Sequence, residues 1–124
     1  FPEIISKEPL GPLVRQGDDQ WADIGRWVLN ALIVGEEMGI TKANVATMSS
    51  GTKNPEINRL LGTEGSIAKW LGLDPKWAMR AISVNGNYAE IFEKYIGKNT
   101  PLGLARGQNA LYNKGGILYA PPVR

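Results

Sequence analysis

Glycine and proline interrupt this chain so often that regular structure can form only in short pieces, apart from one longer segment. The sequence holds 15 glycines and 8 prolines among 124 residues, roughly a fifth of the chain against the ~12% of average usage. Glycine ends helices, and proline cannot continue them. The length fits one compact domain, so the pattern predicts a mainly α fold made of several short helices.

The N-terminal stretch differs from the rest because it carries three prolines, Pro2, Pro9 and Pro12. They exclude a helix and remove backbone donors that a central sheet would need. We therefore expect an extended hinge-like segment over residues 1–16. A helical domain with a Gly/Pro-rich tail should follow over residues 17–124.

One long helix is predicted after Gly17. Asp18 and Asp19 supply an N-cap acid rather than a cation site, and Gly39 fits the C-terminal end, so the helix should run to about Met38. Its apolar residues recur at helical spacing. The apolar stripe they form is wide, so we expect other parts of the chain to cover the helix on more than one side. These residues are Trp21, Ile24, Val28, Leu29, Ala31, Leu32 and Ile33.

Shorter helices are predicted between a start signal and a glycine stop. Asn54-Pro55 and Asp74-Pro75 place a capping residue before proline at the first helical position. The stops are Gly62, Gly72, Gly86 and Gly97. We also expect a loop over residues 49–52, one helical turn over residues 105–111 and an extended stretch over residues 117–120.

The composition excludes several classes of chemistry. The chain has no His and no Cys, which removes the commonest metal ligands, the commonest general base and the thiolate nucleophile. We expect no enzyme activity, no catalytic residue, no metal and no cofactor. The 14 basic and 12 acidic residues are dispersed, which disfavours nucleic-acid binding. No apolar run approaches the ~18 residues of a membrane span, so we expect no membrane insertion.

Two groups of side chains could form a site, but each has a simpler interpretation. Glu36 and Glu37 could act as a carboxylate pair, yet neighbouring helical residues point about 100° apart, and a solvated helix end is the better account. The tryptophans could stack on sugars or bases, but each lies in an apolar stripe, which favours core packing. They are Trp21, Trp27, Trp70 and Trp77.

The tail holds two further candidates. The run LGLARG at residues 102–107 resembles a phosphate loop but lacks the Lys-Ser/Thr pair, so its glycines are predicted to form turns. Tyr112 and Lys114 are a conceivable catalytic pair, but the sequence positions no third group beside them.

Four stretches resemble one family. Residues 7–18 read KEPLGPLVRQGD and resemble the segment of the amino-acid substrate-binding proteins of ABC transporters where the chain returns between two lobes. The predicted helix at residues 19–38 looks like the helix that follows that segment. Residues 86–97 read GNYAEIFEKYIG and are similar to the helix that closes the family's pattern. Residues 107–124 resemble the tail of the general L-amino-acid-binding subfamily.

The resemblance implies a periplasmic-binding-protein-like α/β fold of which this chain matches only the C-terminal third. The residues of the hinge crossing would be Glu8, Pro9, Leu10, Gly11, Pro12 and Leu13. The family's carboxylate-clamping Arg and its amine-binding acid would precede Phe1, so the resemblance transfers no ligand-binding residue. Arg15 and Asp18 are the nearest candidates for binding a zwitterion, but one ends an extended stretch and the other caps a helix.

The leading interpretation is a fragment or stand-alone relative of a binding protein for ABC-type amino-acid uptake, unable to bind ligand alone. An amino acid and an ABC permease would be partners of the full-length protein only, which would be periplasmic. The alternative is a free-standing helical interaction module, a homodimer that has lost the transport role. A third possibility is an enzyme, because some relatives of this fold became dehydratases, although the lack of His disfavours it.

In the family that this chain resembles, the hinge segment and the helices after it lie against a β-sheet that this chain does not contain. Without that sheet an apolar surface would be exposed, and we expect a homodimer to form over it. That surface would include Ile4, Ile5, Leu10 and Val14 together with the first turns of the long helix. A second copy could cover it. Alternatively, the N-terminal segment could fold back and pair with residues 117–120.

Overall fold

Six α-helices follow one another between residues 19 and 95. The computed structural model describes residues 3, 5, 6 and 10–123. The helices are α1 (Asp19–Glu37), α2 (Val45–Gly51), α3 (Pro55–Leu60), α4 (Ile67–Leu71), α5 (Trp77–Asn85) and α6 (Tyr88–Tyr95), followed by 3₁₀ turns at Gly107–Asn109 and Tyr112–Lys114. In the part of the chain described, β-pairing is limited to one isolated bridge between Leu111 and Leu118. The predicted mainly α fold is confirmed.

The predicted bounds of the long helix α1 are confirmed. The Asp18 carboxylate accepts a hydrogen bond of 3.1 Å from the backbone N–H of Trp21, which satisfies a free donor of the first turn. At the other end Gly39 takes the left-handed conformation, with φ of 66°, and its N–H donates to Glu36.

The core forms around the C-terminal half of α1. Residues 31–36 are all buried, and α5 and α6 pack against this helix. On α5, Ile82 is completely buried. The first half of α1 is different, because Trp21 is 56% exposed and Leu29 is 37% exposed. Helix α1 is therefore covered on several sides, as expected, only over residues 31–36.

Two of the predicted helix limits need correction. Asp74 accepts a hydrogen bond from the backbone N–H of Lys76, but the residues after it form a turn and α5 begins only at Trp77. The predicted loop at residues 49–52 was wrong over its first three residues, which belong to α2. The Ser50 hydroxyl donates to the carbonyls of the preceding turn, so it is satisfied without leaving the helix.

The start of α6 is joined to the link between α1 and α2. Asn87 and Glu90 form a capping box, and the buried Asn87 side chain donates a 2.8 Å hydrogen bond to the carbonyl of Ile40. The Glu90 carboxylate also accepts from the backbone N–H of Lys42 at 3.0 Å. The two residues that cap α6 therefore also bind the backbone of residues more than 40 positions earlier in the chain.

The prediction that all four tryptophans lie in the core was wrong for two of them. Trp77 is buried and Trp27 is half-buried, whereas Trp21 is 56% exposed and Trp70 is 81% exposed. Trp70 lies on the five-residue helix α4, which buries Leu71 instead. A helix this short can turn only one face to the core.

The C-terminal tail pairs with itself. The predicted turn over residues 105–111 is a 3₁₀ turn at Gly107–Asn109. Tyr112 donates a 2.9 Å backbone hydrogen bond to Leu118, so the predicted extended stretch pairs with earlier tail residues. For residues 10–14, the described chain shows no such pairing with the tail. Over the residues described, no helix has both the length and the apolar character needed to cross a membrane.

Replacing Gly62 should test how tightly the α3–α4 link packs against the start of α5. Gly62 has φ of 78°, and an added Cβ would overlap the carbonyl of Pro75. Gly39 has a similar φ of 66° but open space around it. Gly62→Ala should cost about 3 kcal/mol of unfolding free energy, and Gly39→Ala about 1 kcal/mol. Urea unfolding followed by circular dichroism measures both, and equal losses would contradict the packing argument.

Candidate functional site

The hinge-like residues that the structure describes lie ahead of α1 on the surface. Glu8 and Pro9 fall outside the described residues. The other four, Leu10 to Leu13, lie together in a stretch without regular secondary structure. Leu10 is 94% exposed and Leu13 is 96% exposed. These apolar side chains therefore contact little of the helical domain, and their role as a hinge stays a prediction.

An apolar groove lies between this segment and the first half of α1. Its volume is about 290 Å³, and its lining consists of Pro12, Val14, Ala22, Gly25, Arg26 and Leu29. The one charged group, Arg26, is already paired with Asp23 at 2.8 Å. The groove therefore suits apolar side chains and offers no free fork for a carboxylate.

Arg15 and Asp18 do not form a zwitterion site. Both line an open depression of about 550 Å³, but Asp18 is engaged in capping α1. No ion pair joins the two within the described part of the chain. Recognition of an amino acid needs a cationic fork and a carboxylate converging in a cleft. Residues 10–123 place no such pair here.

Glu36 is not part of a solvated helix end, as the sequence predicted, but of a buried ion pair. Its Oε2 lies 2.9 Å from Nη2 of Arg106, with the two side chains 6% and 19% exposed. The guanidinium also donates to the carbonyl of Asn109. It lies over the rings of Tyr88 and Phe92, at 5.4 and 5.2 Å from their centroids. The tail covers this end of α1, which is why the carboxylate is not solvated.

Sequence reasoning missed Arg106. Seventy positions separate it from Glu36, and no local spacing rule connects residues so far apart. The sequence carried only an indirect signal: Glu36 follows five apolar or small residues, ALIVG at 31–35, a run typical of a buried helix, and a buried acid needs a partner.

Glu37 points out of the helix and accepts a hydrogen bond of 3.1 Å from the hydroxyl of Tyr112. This bond, with the negative charge of Glu37, raises the pKa of Tyr112 above its ordinary value of 10.0. Tyr112 also meets the ring of Tyr119 edge-on at 5.3 Å. A phenol held in its neutral form is a poor base, so the pair of Tyr112 and Lys114 gains no catalytic character from the structure.

The remaining candidates have structural accounts. In the run at residues 102–107, Gly103 and Gly107 have positive φ and form turns, as predicted. No group of three or more acidic side chains lies close enough to hold a metal ion, as far as the chain is described.

No protein-family model matches the sequence, but individual proteins match it over its whole length. It is 58% identical to the glutamate/glutamine/aspartate/asparagine-binding protein of Rhodobacter capsulatus, and 61% identical to the general L-amino acid-binding periplasmic protein of Rhizobium johnstonii. In each case it covers 37% of the relative. A solved structure from Brucella ovis, an ABC transporter periplasmic binding protein with glutathione bound, superposes with a TM-score of 0.94 at 56% identity.

The chain matches the C-terminal part of amino-acid-binding proteins of ABC transporters in sequence and in fold, and it covers 39% of the Brucella ovis chain. The chain thus spans little more than a third of the length of the relatives it matches.

The contact between Tyr112 and Glu37 should have a measurable pH dependence. The folded pKa of Tyr112 lies above the unfolded value of 10.0, so the contact stabilises the fold below about pH 10 and is lost as the pH rises through the folded pKa. Glu37→Gln should lower the pKa of Tyr112 towards 10, because it removes the negative charge.

The measurement is a titration of phenolate absorbance, with Tyr112→Phe to assign the signal. Glu56→Gln is the matched control, since Glu56 lines the same groove as Tyr112 without a hydrogen bond to it. An unchanged Tyr112 pKa in Glu37→Gln would contradict the assigned cause.

Proposed function

We propose that the protein to which this chain belongs captures amino acids in the periplasm and delivers them to an ABC permease. The observation that carries the proposal is the match over the whole chain, at 54–61% identity, to proteins named as amino-acid-binding components of such transporters. The superposition on a periplasmic binding protein that is 56% identical agrees with it.

Within that protein, this chain would supply a helical body and a hinge-like segment rather than ligand contacts. The described residues bring together no cationic fork and carboxylate in a cleft. The apolar groove beside α1 has its one arginine already paired. Since the family role is capture and release, we propose no chemical step for this chain and no enzyme activity.

The 124-residue chain alone should bind no free L-amino acid more tightly than millimolar. Calorimetry with glutamate, glutamine, aspartate and asparagine tests this, with glutathione included because the Brucella ovis protein holds it. The control is the same chain within a protein of the relatives' full length, which should bind at least one of these ligands. Micromolar binding by the short chain would contradict its proposed role, and a long protein that binds none would contradict amino-acid capture.

A second candidate function is a homodimeric interaction module. It is favoured by the exposed apolar side chains before and at the start of α1, where Ile5 is 85% exposed, Leu10 94% and Leu13 96%. A second copy could cover this surface and the groove beside it. Among the described residues, the backbone of residues 10–14 forms no backbone–backbone hydrogen bond, so an extended segment of a second copy could pair with it.

Sedimentation at micromolar concentration should show a dimer of the isolated chain, and a monomer near 13.5 kDa would contradict it. Deleting residues 1–15 should weaken the dimer or make the chain insoluble. Leu29→Arg places a charge in the groove and should also weaken it. Val84→Arg is the matched control, because Val84 is an exposed apolar side chain on α5 that does not line the groove.

A further inference from the structure

Residues 105–123, here called the tail strap, are hydrogen-bonded largely to themselves. Ile117 donates a backbone bond of 2.9 Å to Gln108, and Tyr112 donates one of 2.9 Å to Leu118. The strap is therefore a closed loop with its own internal connections. It needs no backbone pairing with the helices to keep its shape.

The strap is fastened to the helices at one place. Over residues 10–123, two hydrogen bonds join it to the helical body, and both end on the last turn of α1. One links Arg106 to Glu36 at 2.9 Å, and the other links Tyr112 to Glu37 at 3.1 Å. The Arg106 guanidinium also contacts two aromatic rings of α6.

Beneath this fastening the strap covers apolar surface. Three of its residues, Leu111, Ala120 and Val123, are buried and belong to the hydrophobic core. A groove of about 190 Å³ runs along the contact, with Val34 of α1 and the C-cap residue Met38 on one side. Opening the strap would uncover this part of α1.

We propose that the tail strap opens and closes as a unit while the helices stay folded, with Arg106 as its fastening residue. Local openings in a native protein involve contiguous cooperative units, and the strap is one contiguous stretch that two hydrogen bonds join to the helices, apart from its apolar contacts. Arg106 is decisive because its loss leaves the buried Glu36 carboxylate without a cation, which is strongly unfavourable. This inference does not depend on the proposed transport function.

The absence of cysteine allows a direct test by thiol labelling under native conditions. Ala120→Cys reports from the strap and Ala78→Cys, fully buried on α5, reports from the helical body. We expect the thiol at position 120 to react at least about tenfold faster than the one at position 78, because local opening precedes global unfolding. Equal rates would overturn the proposal.

A third probe separates opening of the strap from fraying of its end. Leu111→Cys lies in the middle of the strap and is buried. It should react at a rate similar to that of the thiol at position 120 if the strap opens as a unit. Protection at position 111 as strong as at position 78 would show end fraying and overturn the proposal.

The role of Arg106 is tested in the same labelled chains. Arg106→Met should raise the labelling rate at position 120 on the order of a hundredfold and change the rate at position 78 far less. Arg80→Met is the matched control, since the Arg80–Asp74 pair is exposed, and it should leave both rates nearly unchanged.

The double variant Glu36→Met/Arg106→Met should return the rate at position 120 towards that of the parent, because it removes the unpaired charge as well. A parallel rise at positions 78 and 120 in Arg106→Met would show global loss of stability instead. That result, or a double variant no slower than the single one, would overturn the assignment of Arg106.

Discussion

The structure depends on enclosing the last turns of α1. Six consecutive residues, 31–36, are buried there, and six residues make more than one full turn of helix. The helix is therefore surrounded rather than covered on one face, and α5, α6 and the closed tail strap provide that cover. The same enclosure buries Glu36, and a buried carboxylate needs a cation close by. Arg106 meets that need and fixes where the tail lies.

A second set of contacts joins the start of α6 to the segment between α1 and α2. Asn87 caps α6 and at the same time binds the carbonyl of Ile40 just after α1. Glu90 completes the capping box and reaches the backbone of Lys42. Buried polar groups that satisfy each other in this way favour one arrangement over others. The order of α1, α2 and α6 in space therefore rests on a few hydrogen bonds as well as on apolar packing.

The two halves of α1 have opposite environments. Its C-terminal half is enclosed, while its N-terminal half keeps Trp21 and Leu29 partly exposed beside an apolar groove. An exposed apolar surface of this kind is typical of a site that another protein segment covers. The chain spans about 37% of the length of the relatives it matches. Both proposals would use this open half, to meet the rest of a binding protein in one case and a second copy in the other.

The sequence by itself determined most of the places where helices begin and end, although not the start of α5 or the end of α2. Asp18 and Asn54 cap their helices, and Gly39 and Gly72 lie at the ends as predicted, because capping and left-handed glycine act within a few residues. The hinge-like stretch could be located by its prolines, but the packing of a surface segment has no local signal.

Tertiary structure alone decided which side chains those helices bury. Trp77 is enclosed and Trp70 is exposed although both follow an apolar stripe, and Glu36 finds Arg106 seventy positions away. Periodicity shows which residues share a helical face, but burial depends on what packs against that face. Distant segments of the chain decide that, and no rule of short spacing describes them.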